Sequence, residues 1–410
     1  MLKPHFYDTP AQMEPLLIDS SRPLHRRLID LAQVLAEASA RLDAAVRPAT
    51  AKSLSALVTG MNCYYSNLIE GHKTLPIDID AALYALEQHG NRQHLQSLAL
   101  AHIETEHWAR QQSLDSGTLK NFLLDAHQRF CQPLPAALLQ LGDGSMLVAG
   151  TFRSREVSVG RHVAPSASTL MGFIDRYVQV YGQKLAWAKK GGISKLDGLV
   201  AAFAAHHRLV WIHPFLDGNG RVARIALDAM LRACGVNDAC LWSMSRGFAK
   251  SADEYKARLA GADVSRRGDL DGRGNLSEKG LAAFCEYAMQ TAIDQARFMD
   301  SMFALEHVQA RAHAYFHRVR FDLNPQSAHL YIHAFVIGEF ARGEVSRLTG
   351  LPERTARSVL RALLDEGLLV SDSPKGKVRA GFPVHALGSL LPNLYPAGDV
   401  DSIIPPKRQR

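Results

Sequence analysis

Cysteine is scarce in this chain. Five occur in 410 residues (Cys63, Cys131, Cys234, Cys240 and Cys285), an odd number, scattered and without CxxC spacing. A disulfide framework and a zinc-finger pattern are thereby excluded, and ordinary buried thiols are expected. Long apolar runs are missing too. No stretch approaches the roughly 18 consecutive apolar residues of a membrane span, so no membrane partner is expected. The opening MLKPHFYDTPAQ lacks a basic head leading into an apolar stretch and a small-residue cleavage site. Nothing there marks the chain for secretion, and the expectation is a cytoplasmic protein. Neither sign of charge dominates: 47 Lys and Arg against 40 Asp and Glu leave a net charge of +7, spread along the chain. That balance accommodates nucleic acid or an acidic partner without selecting either.

What is present is mostly helical periodicity. From Ser53 to Glu70, apolar residues Leu54, Leu57, Val58, Met61, Tyr65 and Leu68 recur at steps of three and four, and Gly71 and Pro76 then end that helix. Between Gly142 and Gly160 the period changes, with Val157 and Val159 alternating with polar residues, which predicts a small hairpin. Helical spacing returns at Leu196 to Val210, breaks at a glycine-rich loop over 213–220, and resumes through Ile225, Leu227, Met230 and Leu231. A polar patch from Gly261 to Gly274 precedes another helix near Leu281 to Phe298, and a different pattern occupies Phe335 to Phe382. At this length two or three structural units are expected rather than one core. The expected division is an N-terminal helical region over 1–115, a catalytic core over 116–300, a C-terminal module over 301–398 and a frayed tail from about Ala397 to Arg410.

The chemistry concentrates in His213-Pro-Phe-Leu-Asp217-Gly-Asn-Gly-Arg221-Val-Ala-Arg224, immediately ahead of a helix. Gly218, Asn219 and Gly220 let backbone amides turn inward, and the helix start adds unpaired N–H groups and a dipole, so the loop can cradle phosphate oxygens. Arg221 and Arg224, three apart on the first turn, share a face and can fork onto further oxygens. Asp217 supplies the hard oxygen that a magnesium ion bridging phosphates would need. His213 can accept a proton near neutral pH. His206 and His207, upstream, lack the HExxH spacing of a zinc helix and are expected to be scaffold.

These residues resemble the signature HPFxDGNGRxxR of the Fic family, with every defined position present. The resemblance implies a mainly α fold: a Fic-type helical bundle with a small β-hairpin flap. It also implies an activity, transfer of AMP from ATP to a Ser, Thr or Tyr hydroxyl of a target protein, with Mg²⁺ as cofactor. His213 would be the general base, Asp217 the metal ligand, Gly218 to Gly220 the anion nest, Arg221 and Arg224 the phosphate contacts and Phe215 a core anchor. Tyr255 would lie against the nucleotide base. The flap would run from Gly150 and Arg153 through Val157 and Val159 and pair with an extended target segment by backbone hydrogen bonds, which fixes geometry and carries little sequence information. The end of the first long helix, Ser66-Asn-Leu-Ile-Glu70-Gly71, resembles the family's inhibitory motif [S/T]xxxE[G/N]. Ser66 and Glu70 share a helix face, and Glu70 would pair with Arg224 as an electrostatic competitor of ATP.

Glu344 to Arg361 fits helix, glycine turn, helix, and the segment after Gly367 resembles the wing of a winged helix, with Arg354, Arg357 and Arg361 on the exposed face. Partners left open are ATP, a target protein that includes the chain itself among its candidates, DNA through that module, and a second copy of the chain. The competing readings are a DNA-binding regulator whose loop only senses nucleotide, and a Fic enzyme that removes AMP or uses another nucleotide. Asp269 to Asn275 fails as a calcium loop: in the register that places Gly274 at the sixth position, the fifth is Arg273 and the twelfth is Gly280.

Overall fold

A computed structural model describes residues 7–83, 91–160 and 162–400. Prolines start the first helices, where their missing N–H is no loss: α1 (Pro23–Ala45), α2 (Pro48–Ile69) and α3 (Pro76–Leu83). The helix expected from Ser53 therefore begins one turn earlier. It ends as expected, at Gly71 with φ 84°, a backbone that glycine adopts without penalty. Residues Val58 to Asn67 of α2 are buried without interruption. The stretch read as amphipathic is thus central, because later helices cover the side that sequence spacing left to solvent: Asn62 donates to Glu106, Arg110 donates to Thr59 and Arg224 donates to Ser66.

Next come α4 (Asn91–Ala109), α5 (Leu119–Cys131), the short α6 (Ala136–Leu139) and α7 (Leu170–Ala188). The pair that brackets the glycine-rich loop is α8 (Ile193–Ile212) and α9 (Asn219–Ala233), both buried along most of their length. After them run α10 (Met244–Lys250), α11 (Ala252–Ala262) and the long α12 (Glu278–Phe303), which lies along α1, α8, α10 and α11. The polar patch before α12 closes on Asp271, whose carboxylate accepts from the Arg267 and Lys279 amides and the Ser277 hydroxyl. It works as a turn anchor.

The hairpin lies later than the spacing indicated. Strands β1 (Ser158–Val159) and β2 (His162–Val163) pair antiparallel, Ser158 opposite Val163 and Val159 opposite His162, with Gly160 at φ 59° in the turn. The upstream part of the expected hairpin is a separate tight turn closed by Gln140 and Met146.

Beyond α13 (Leu305–Ala314) a five-residue π turn leads to α14 (Gln326–Ile337). Then α15 (Val345–Thr349), a left-handed Gly350 and α16 (Glu353–Asp365) are followed by β3 (Leu369–Val370) paired with β4 (Arg379–Ala380). Last are α17 (Val384–Leu390) and α18 (Ala397–Val400). The frayed tail expected from Ala397 is corrected over its first four residues, which form α18 with Val400 buried; the rest of it lies outside the described residues. Most buried apolar side chains, from Met13 to Val400, belong to one large cluster, so the N- and C-terminal regions share a core, and a smaller cluster gathers Leu98, Ala101, Phe130, Cys131, Leu134 and Leu147. Among the described residues no helix is long and apolar enough to cross a membrane.

Candidate functional site

The loop between α8 and α9 is held from three sides. His213 caps α8 in the left-handed region, φ 51° and ψ 62°, where a side chain with a Cβ persists only if its surroundings enforce it. The Arg153 guanidinium supplies that force. Its Nε donates to the His213 carbonyl at 2.8 Å, and its other nitrogens reach the carbonyls of Arg155, Pro165 and Ile212. On the second side, the Asn219 amide brackets Phe215, accepting from its N–H at 2.9 Å and donating to its carbonyl at 2.8 Å. On the third, His127 of α5 stacks flat on Phe215 with centroids 3.9 Å apart. Its Nδ1 accepts from the Gly150 amide (2.9 Å), which leaves Nε2–H to donate to the Asp217 carbonyl (3.2 Å). Burial first pulls this imidazole down to about 4, so it stays neutral and keeps that tautomer.

His213 itself has Nδ1 3.4 Å from the Val210 carbonyl. A carbonyl only accepts, so Nδ1 carries the proton and Nε2 keeps its lone pair. Burial lowers this histidine to about 4; the Val210 carbonyl opposes the shift and the charges of His162 and Arg153 assist it.

Facing the loop are two buried guanidinium groups in different states. Arg221, 6% exposed, lies over the Phe130 ring at 4.8 Å, and its Nε and Nη1 have no hydrogen-bond partner among the described residues. A buried cation with unpartnered donors at a helix N-terminus has the chemistry to bind an anion. Arg224, 2% exposed, is occupied: Nε donates to Ser66 Oγ (2.9 Å), and Nη2 to the Ser66 carbonyl (3.0 Å) and to Glu70 Oε1 (2.7 Å). The Glu70 side chain remains 31% exposed. Burial would raise its carboxyl, but Arg224, then Arg221 and His213, hold it below the ordinary value. That carboxylate sits where a Cβ on Gly220 would be, 2.2 Å from Oε1. Glycine at 220 leaves room for the Glu70 carboxylate in this position.

Residues 118–231 match the family model described as the Fic/DOC family. The likeness to the Fic family lies in this stretch. The chain is 31% identical over 122 residues to the protein adenylyltransferase Fic of Drosophila erecta, a match covering 29% of this chain and 23% of that protein. The Drosophila virilis protein of the same name is 31% identical over 145 residues, 34% of this chain and 26% of its own. The match thus spans about a quarter of these relatives' length. Among solved structures, a Fic family protein from Desulfovibrio desulfuricans G20 superposes with a TM-score of 0.51 at 18% identity, over 89% of this chain and 98% of that one. A Fic domain containing signaling protein from Bacteroides thetaiotaomicron superposes at 0.51 and 19%, over 65% and 96%. Both show the fold.

Several expectations for the flap and the nucleotide contacts are corrected by packing. Arg153 does not face outward, because it is buried with its donors on the carbonyls of His213, Ile212, Arg155 and Pro165. Gly150, at φ 70°, lies outside the hairpin and donates its amide to His127. Val157 accepts from the Ala164 amide just outside the strands, while Val159 is in β1 and exposed. Asn219 offers the nest only its main chain, its side chain being committed to Phe215. Gly218, at φ 79°, turns its amide onto Asp217 Oδ1 at 2.6 Å. Tyr255 is 3% exposed, stacked on Phe248 with centroids 4.2 Å apart and bonded to His206 Nε2 at 2.8 Å, so it offers no open wall for a base. His206 and His207 are buried scaffold, bonded to the carbonyls of Ala223 and Leu259. Far from this site, Arg354, Arg357 and Arg361 are exposed on α16, but Arg357 and Arg361 pair with Glu353 and Asp365 on their own helix.

Sequence reading passed over His127 and Asp228. No spacing links His127 to the loop; only the fold brings α5 onto Phe215. Asp228, one turn beyond Arg224, is 6% exposed with Oδ1 unpartnered among the described residues. Burial and neighbouring Glu106 push it from 3.8 up to about 7, against the pull of Arg232, Arg110 and Arg224. The folded chain therefore holds this carboxyl neutral between about pH 4 and 7 while the unfolded chain ionises it, so stability falls as pH rises through that window. Asp228→Asn is expected to raise the melting temperature at pH 8, by an equivalent on the order of 2 to 4 kcal/mol. The gain should vanish at pH 4, and thermal melts at the two pH values check it.

Proposed function

We propose that this chain is a protein adenylyltransferase that moves AMP from ATP to a hydroxyl side chain of a protein, and that Glu70 brakes it. The observation that carries this reading is the buried Arg221 guanidinium with unpartnered Nε and Nη1 among the described residues, in the same loop-and-helix unit as a His213 whose Nε2 is unprotonated, while Arg224 is paired with a carboxylate. The amides at the start of α9 and the two arginines bind and orient the triphosphate. His213 Nε2 takes the proton of the incoming hydroxyl as its oxygen bonds the α-phosphorus, and the bond from that phosphorus to pyrophosphate breaks. Positioning and charge neutralisation carry most of the rate.

The acidic side chain fits a magnesium ion. Asp217 is exposed, with one oxygen on the Gly218 amide and no bond recorded to the other among the described residues. No group of three or more His, Cys, Asp or Glu that could hold a metal occurs among those residues, and Mg²⁺ bound by a single carboxylate plus substrate phosphates is the ordinary arrangement. When bound, the ion would neutralise charge on the departing pyrophosphate.

Label from α-labelled ATP should appear on protein in the presence of magnesium, while label from γ-labelled ATP should not. The reverse result would refute nucleotidyl transfer. Because His213 is lowered to about 4, the free base dominates at every pH above about 5. The pH profile of kcat/KM is accordingly expected to be level from about pH 6 to 8 and to fall only as pH drops toward 4; a limb near the ordinary 6.5 would contradict a buried base.

A second reading keeps DNA as a partner of the C-terminal module, favoured by the exposure of Arg354, Arg357 and Arg361 on α16. The i,i+4 acids beside the latter two weaken it, since they cancel part of the charge that phosphate would meet. A salt-sensitive shift of a specific DNA fragment, lost in Arg357→Ala, would support it, and binding without sequence preference would remove it.

A further inference from the structure

The clamp between Glu70 and Arg224 holds only while the last turn of α2 stays in register, and the groups that hold that turn come from the far end of the chain. Tyr64 stands two residues before Ser66, about 200° around the helix and so on the opposite side from the clamp. Its hydroxyl donates to Asp399 Oδ2 at 2.5 Å, and Lys73, just past Glu70, reaches the other oxygen at 2.7 Å. One buried carboxylate thus grips the chain on both sides of Glu70. Next to it, the Tyr65 hydroxyl donates to the Leu394 carbonyl at 2.9 Å, and Tyr395 stacks parallel to Tyr65 and edge-on to Tyr64. Arg246 of α10 fastens the same segment through the carbonyls of Asn393 (2.7 Å) and Leu394 (3.3 Å). The start of α2 is gripped by the same C-terminal region: Thr50 donates to the Phe335 carbonyl, Arg379 to Ser53, and Lys52 pairs with Asp372.

We infer that the C-terminal segment 391–400 sets the brake by strapping the last turn of α2 against Arg224, so that a partner which draws this segment away releases the enzyme. The inference rests on the Glu70 reading and adds what positions Glu70. A helix held along its length by one region moves with that region, and the strap contacts involve no residue of the 213–224 loop. Strap and clamp are two ends of one equilibrium, and weakening either favours the open state to the same end.

The test is epistasis in the full-length protein. Tyr64→Phe with Asp399→Ala removes the shared carboxylate and keeps the aromatic packing. Self-labelling from α-labelled ATP is expected to rise roughly tenfold over wild type, and the same pair added to Glu70→Gly should produce no further rise. Labelling that stays at the wild-type level while Glu70→Gly is high would sink the strap and leave the brake standing. A rise of the same size in the Glu70→Gly background would place the effect elsewhere and also sink it. Should Glu70→Gly itself label no better than wild type, the brake goes, and this inference with it. Hydrogen exchange covers the case of a poorly folded double variant: the single Tyr64→Phe change should speed amide exchange over 66–71 and leave α8 and α9 protected, and unchanged exchange there refutes the strap.

Discussion

Replacing Glu70 with glycine is expected to raise AMP transfer by at least tenfold. The carboxylate contributes a 2.7 Å charge-assisted bond to Arg224 and stands against Gly220, at the start of the helix that must receive phosphate. Hydrogen bonds to charged groups are worth roughly 1.5 to 3 kcal/mol net, and each ~1.4 kcal/mol is a factor of ten in the population of the open clamp. The side chain is 31% exposed, which screens the pair and argues for the lower end of that range. Removing it leaves Arg224 with its bonds to Ser66 and a free Nη2 donor, so the second clamp becomes available without loss of the fold. Initial rates with α-labelled ATP, wild type against Glu70→Gly at equal concentration, measure the ratio. Equal rates would mean that the contact is structural and the brake assignment wrong.

His213→Ala is expected to remove transfer by about 10²–10⁴-fold, the usual contribution of a general base, and to do so in the Glu70→Gly background as well. Nucleotide affinity should change little, because in the proposed binding mode the phosphate groups would be held by α9 and the arginines rather than by the imidazole. Single-turnover rates and equilibrium ATP binding separate the two effects. A loss of affinity as large as the loss of rate would make His213 a binding residue. The His213 backbone adds a second consequence. At φ 51° the backbone is in the left-handed region, which alanine tolerates less well than histidine, so a modest loss of stability should accompany the loss of rate.

Helix positions were legible wherever a three-and-four repeat ran between breakers: α8, α9 and the end of α2 at Gly71 follow from local spacing, and so does the catalytic loop, because its residue types are consecutive. The hairpin was misplaced by several residues since Val157 and Val159 alternate over too short a stretch to set register, which depends on the partner strand. Arg153 was placed in the flap by resemblance alone; arginine is seldom buried, and only the convergence of four main-chain carbonyls permits it here. Tyr255 failed similarly, since a tyrosine free to stack on a base and one already stacked on Phe248 look alike in one dimension.

The chain alone determined that a base, a carboxylate, a flexible turn and two arginines would lie together ahead of a helix, because neighbours in sequence remain neighbours in any fold. It also determined that Ser66 and Glu70 share a helix face, through the 3.6-residue turn. Tertiary structure decided which arginine that face meets, which tautomer His213 holds, and that residues near 395 brace a helix that ends near 70. Those are contacts between segments far apart along the chain, set by the packing of one continuous core, and no local pattern encodes them.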